Sequence, residues 1–320
     1  MTGLLVTKQI LMTLYSKYEI YITPILKFLL ALISLMIINS RLGYMDSIDK
    51  MTIVLIVALM CSFMPRNFIV VMSALFIMLH LYTFNLECAI VVGAGLLLMF
   101  LLYLRFSPKD TLVVLLLPIC FLIRIPYVIP LAMGLIGSPV SAISIACGVI
   151  TYYMLHFVVQ NVSTIVAMAD EEMTARFKFV VDGILHNREM VITIVAFAVT
   201  VILVYLIRRL SIDYAWTIAM AAGAVVNITV LLVGDLMFDT HVSLLEVVLG
   251  NVLSLLVAVV LQFFVFNVDY SRTEKVQFED DEYYYYVKAV PKISVARPEK
   301  KVKQINSQKT KPVPRGRSAH

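Results

Sequence analysis

Few side chains in this sequence are equipped for chemistry, and most of those lie in apolar surroundings where a charge is costly. An ionisable group in such a place pairs, snorkels to the lipid headgroups, or serves a function. Arg124 stands out first. It lies between Pro118 and Pro126, where missing backbone N–H groups interrupt a helix and free carbonyls that can line a cavity. A guanidinium at such a break can hold an anionic substrate group through two parallel hydrogen bonds. The competing reading is an arginine at a tight turn that reaches for headgroups. Arg66, in Pro65-Arg66-Asn67, has the same pair of readings. His156 follows Tyr152 and Tyr153 and precedes Gln160, which puts polar groups on one helical face. A proton relay needs such groups facing inward; a helix end at the interface accounts for them equally. His80 has the same two readings. Arg66, Arg124 and His156 are the candidate substrate-binding residues.

The other constellations are weaker. Asp235, Asp239, His241 and Glu246 fall within twelve residues and could offer oxygen and imidazole to a divalent cation. They lack EF-hand or HExxH spacing, and a hydrated acidic loop explains them, so no metal is assigned. Cys61, Cys88, Cys120 and Cys147 lie in or beside apolar runs without CxxC spacing, and read as small apolar residues. Asn227, Asn251 and Gln262 read as hydrogen-bonding glue between helices. There is no phosphate-cradling GxxxxGK[ST] motif. No catalytic residue and no cofactor is assigned, and the chain is not expected to be an enzyme.

The elements that would position these groups are membrane helices. The 320 residues are 61% hydrophobic and 15% charged, with a mean hydropathy of +0.93. Too few charges remain to cover a soluble core, so most apolar surface must face lipid or other helices. Crossing about 30 Å of hydrocarbon takes roughly 20 residues. Runs of that kind occupy 21–39, 68–85, 87–104, 141–160, 190–207, 215–235 and 245–267. Residues 51–64 and 111–123 are shorter, and 14 helical residues reach only about 21 Å. They read as short tilted spans or re-entrant halves. The fold class is all-α: a polytopic transmembrane bundle of eight to ten segments with a disordered C-terminal tail. Its expected parts are an interfacial amphipathic helix at 1–20, a membrane bundle at 21–160 with two broken segments, an amphipathic linker helix at 161–189, a three-helix unit at 190–267, and the tail at 268–320. The first 20 residues lack the basic start and small-residue cleavage site of a secretory signal.

Of 26 Lys and Arg, 12 follow residue 268, so the basic balance belongs to a tail and not to a nucleic-acid-binding face. Because Lys and Arg resist translocation, the tail is expected on the cytoplasmic side and the 235–245 turn outside. With ten segments the N-terminus also lies inside, and the Lys and Arg of the body that fall outside the spans then divide 7 inside to 6 outside. The stretches 60–75 and 119–134, at an offset of 59, share Cys, then Arg with Pro, then an aromatic. Three segments separate them, an odd number, so such a repeat would be inverted, as in transporter cores.

Within 161–189, Met173, Phe177, Val180, Val181 and Ile184 recur at helical spacing. Asp170, Glu171, Glu172, Arg176 and Asp182 are available for a wet face, which predicts a helix lying along the bilayer surface. The tail carries an acidic cluster, then Tyr283, Tyr284, Tyr285 and Tyr286, then a Lys-, Arg- and Pro-rich end. Tyr and Val favour extended structure, so 279–295 is the candidate protein-binding segment, able to add a strand to a partner's sheet edge. The basic 297–320 is the candidate contact for anionic lipid. A purely solubilising tail accounts for the same composition.

Two stretches, RRLSIDYAWTIAMAAGAVVN and NVDYSRTEKVQFEDDEYYYYVKAVPK, carry a resemblance. The chain resembles a group of uncharacterised multi-pass membrane proteins of anaerobic Gram-positive bacteria. That resemblance implies a bacterial plasma membrane and brings no known activity. Two functions fit the residues. The first is a scaffold or envelope-assembly component whose tail recruits cytoplasmic partners, supported by the scarcity of intramembrane polar groups. The second is a transporter or permease-like subunit with a substrate site near the breaks at 65–67 and 118–126.

Overall fold

The computed structural model describes residues 2–168, 173–240, 243–265 and 274–290. The described residues are almost entirely helical: α1 (Thr2–Leu42), α2 (Met51–Phe63), α3 (Arg66–Phe84), α4 (Leu86–Phe106), α5 (Thr111–Leu122), α6 (Val128–Ile136), α7 (Ser141–Gln160), α8 (Val162–Ala167), α9 (Met173–Leu185), α10 (Arg188–Arg208), α11 (Ala215–Phe238) and α12 (Leu244–Val265). Among the described residues seven helices are long and apolar enough to cross a membrane, and α2 and α5 are shorter apolar helices. The chain is a multi-pass integral membrane protein.

Hydrogen bonds and ion pairs between helix ends show that successive helices alternate in direction. At the end from which α12 leaves toward the tail (the tail end), Lys8 donates to the Phe263 carbonyl. Tyr103 reaches Asn67 and Thr111 there, and Ser107 meets Ser144. Arg208 donates to the carbonyls of Leu135 and Gly137, which are free because α6 stops at Ile136. At the far end, Tyr44 stacks on Phe84, Arg176 pairs with Glu87, and Arg188 donates to Phe238 O. The N-terminus and the tail therefore leave from the same end. The broken segments turn at opposite ends: α2 gives way to α3 at Met64–Pro65 on the tail side, and α5 to α6 around Arg124 on the far side.

Packing is dense where small residues let backbones approach. Added Cβ atoms at Gly134 and Gly223 would both run into Val204, so α6, α10 and α11 meet closely around that side chain. One core cluster joins Leu117, Ile129, Val149, Phe197, Leu231 and Val247. A second gathers Leu81, Val92, Val158, Val180 and Ile184 at the far end.

α1 runs through both the expected interfacial helix and the first span, with a kink at Tyr18, whose backbone is not helical. Two details depart from the sequence reading. The linker segment is two helices, and α9 does not simply lie along the surface. It packs on α4 and α7 through Val180 and Ile184, which are buried, whereas Met173 and Phe177 are exposed. Arg176, expected on the wet face, turns inward because Glu87 is buried and needs a counter-charge; Asp170, Glu171 and Glu172 lie outside the described residues. In the tail, β1 (Glu274–Glu279) and β2 (Tyr284–Ala289) form an antiparallel hairpin. The tyrosine run is thus already paired along one edge. Residues 291–320, including the candidate lipid contact 297–320, lie outside the described residues.

Candidate functional site

A cavity of about 160 Å³ opens among α1, α3, α4, α5 and α7. It exists because these helices present small or kinked positions to one another. Ala74 on α3, Cys147 on α7 and Pro118 on α5 all line it. Pro118 removes the hydrogen bond that the carbonyl of Val114, another lining residue, would receive within α5. Most of the wall is aliphatic and aromatic, including Ile38, Val70, Leu96, Phe100, Leu115 and Leu155. Protein interiors rarely keep voids larger than a water molecule.

The polar groups on the wall are of two kinds. Several are satisfied within their own helices: Ser34 donates to Leu30 O at 2.8 Å and Thr151 to Cys147 O at 2.8 Å. Tyr103 gives its hydroxyl to Asn67 at 2.7 Å. Two of the others, Ser73 and Arg41, stand out. The Ser73 hydroxyl is buried and has no hydrogen-bond partner, although Ser73 is only 6% exposed. Arg41, in the last turn of α1, lines the far end of the cavity and forms none of the ion pairs among the described residues. Beside it, Phe121, Tyr152 and His156 make a stacked aromatic ladder, with ring centroids 4.2 Å and then 5.3 Å apart. This is an apolar slot with a cationic and aromatic mouth.

Of the three sequence-derived candidates, only His156 lines this cavity; they are not brought together. Arg66 is the exposed first residue of α3 at the tail end. Arg124 sits at the far end in the α5–α6 turn with a left-handed φ of 61°, its guanidinium 2.9 Å from Glu246 and 79% exposed. Pro118 is the part of that broken segment that reaches the cavity. His80 serves a different purpose. It is fully buried, with Nε2 3.0 Å from Asn39 Oδ1 and Nδ1 3.2 Å from the Met45 N–H. A backbone N–H can only donate, so Nδ1 accepts, Nε2 carries the proton, and the ring is neutral. With Asn39 donating to Ile48 O, His80 pins the 43–50 turn. Asn227 donates to Asn251 at 3.0 Å and Gln262 to Thr217 at 3.2 Å, the interhelical glue expected of them. In the 235–246 turn, Thr240 donates to Asp235 and Glu246 is engaged by Arg124, while His241 lies outside the described residues.

Tyr283–Tyr286 belong to the hairpin. Phe278 and Tyr285 face each other across the strands with centroids 5.0 Å apart, and share a face with Val276 and Val287 by the strand register. All four are exposed. Arg41 and Ser73 escaped the sequence reading because an arginine closing a span and a serine inside one are ordinary; only the packing makes them unusual. Comparison with family models, with curated proteins and with solved structures finds no match.

Proposed function

We propose that the chain is a non-enzymatic transporter or permease-like subunit that takes an amphipathic solute into the cavity between α1, α3, α4, α5 and α7. One observation carries the reading: an apolar cleft between the helices of a membrane bundle, lined by an arginine that forms none of the ion pairs among the described residues and by a buried hydroxyl without a partner. Further support comes from the two broken segments, which turn at opposite ends as an inverted arrangement requires. The proposed setting is a bacterial plasma membrane with the tail cytoplasmic. The 12 Lys and Arg after residue 268 support that side, and the resemblance of the two quoted stretches supports the compartment.

Proteoliposomes containing the full chain test the idea. Counterflow of amphipathic solutes should be lost when Ala74→Phe fills the cavity. Equal flux through the wild type and the filled variant, across the panel, rejects it.

A second reading has its own observation. The exposed apolar face of the hairpin, Val276, Phe278, Tyr285 and Val287, suits a scaffold that recruits a cytoplasmic protein. A photo-crosslinker replacing Val287, on that face, should then yield one discrete adduct, whereas a truncation after residue 273 should leave solute flux unchanged.

A further inference from the structure

We infer that the occupant of the cavity is a single-chain amphipathic anion, its chain between the helices and its head on Arg41. The inference rests on the transporter reading and names the substrate class of that site. The wall is apolar along its length, so the body of the ligand is hydrocarbon. The cavity of about 160 Å³ matches engineered cavities of about 150 Å³ that hold one benzene. It has room for one chain segment and not for two side by side. Lining residues on α1 run from Ser34 to Leu42 and on α3 from Val70 to Ile77, so the space follows the helix axes for roughly 12 Å. An elongated space of that kind suits a chain better than a ring system.

The head is set by the far end. Arg41 is exposed and forms none of the ion pairs among the described residues. Tyr152 and His156 stack beside it on the same wall. A guanidinium donates in a planar fork that matches a carboxylate or sulfonate and repels an ammonium. The second independent sign of a ligand is Ser73. Its hydroxyl is buried, lines the cavity and lacks a partner, and a buried donor without a partner is costly to leave so. A hydroxyl or double bond partway along the chain would meet it.

The test uses the full chain in nanodiscs of phosphatidylcholine, with dodecanoate, dodecanol and dodecyltrimethylammonium competing against a radiolabelled decanoate probe. Dodecanoate should displace the probe at least tenfold more effectively than the other two. Arg41→Gln should weaken dodecanoate at least tenfold and Arg41→Lys should restore most of that loss. Ala74→Phe should abolish probe binding. Because Arg41 is exposed, its variants leave the packing intact and keep the proposal testable even if Ala74→Phe misfolds. Equal displacement by all three head groups, with Ala74→Phe still blocking, overturns the anionic class while the cavity keeps its transport role. Probe binding that neither variant alters overturns the class and the cavity reading together. Native mass spectrometry separates the sources: a retained two-chain phospholipid in place of a single-chain acid overturns the proposal.

Discussion

At the scale of single residues, the two histidines show how differently one side chain can be used. His156 shares a cavity wall with Arg41, whereas His80 is consumed by Asn39 and Met45. Replacing His80 by Ala leaves a buried amide oxygen and a backbone N–H without partners, each costing about 1–3 kcal/mol. Unfolding in denaturant should register a loss of about 2 kcal/mol or more, with earlier proteolysis in the 43–50 turn. A loss below half a kcal/mol would mean that water replaces the ring. Arg124 makes the opposite case. Its exposed pair with Glu246 contributes about 0–1 kcal/mol, while a non-glycine residue at φ 61° carries strain of about 1 kcal/mol. Arg124→Gly should therefore leave the melting temperature unchanged or raise it slightly. A fall of several degrees would show that the ion pair outweighs the strain.

At the scale of elements, α9 is docked by a charge pair beside its buried Val180 and Ile184. Glu87 and Arg176 approach to 2.9 Å with side chains 6% and 21% exposed. Removing one partner strands the other, at about 3–5 kcal/mol, whereas replacing both by leucine should be close to neutral. A double-mutant cycle on Glu87→Leu and Arg176→Leu, followed by protease cutting between α8 and α10, measures this directly. Additive single effects would show that the pair does not dock the helix. The hairpin has its own control. Tyr285 donates its hydroxyl to Asp280, and the backbone N–H groups of Glu282 and Tyr283 add to it, so the carboxyl is held below its ordinary value of 3.8. A depressed carboxylate stabilises the fold above its ordinary value and loses that contribution as pH falls through the folded one. The same bond raises the Tyr285 phenol above 10.0, so its contribution is present below 10 and fades as pH rises through the folded value. The Phe278–Tyr285 contact, followed by NMR on the full chain, should persist between these limits and weaken at both extremes. Persistence through pH 2 would show that Asp280 is not what closes the turn.

At the scale of the whole molecule, the question is which way the bundle faces. The native cysteines do not obscure it, since Cys61, Cys88 and Cys147 are buried and Cys120 is partly so. Asp46→Cys and Asp182→Cys, at the far end, should react with a membrane-impermeant maleimide on intact cells. Lys109→Cys and Ser211→Cys, at the tail end, should react only after lysis. Labelling of one residue from each pair on intact cells would overturn the alternating arrangement.

The sequence by itself determined the membrane class, the seven long spans and the two short ones. Each is a local property: about 20 apolar residues can satisfy their backbone in a lipid core only as a helix, whatever surrounds them. It also marked Asn227, Asn251 and Gln262 as glue, because an amide in an apolar run must find another polar group. Only the tertiary structure decided which polar residues remain unspent. Arg41 and Ser73 look like any other arginine at a span end and serine within one. Arg124 looked like a binding residue, and the fold puts it in an exposed pair with a residue 122 positions away. Arg176 looked wet until Glu87, on another helix, claimed it. Partnership depends on contacts distant in sequence, and hydrophobic periodicity does not encode them.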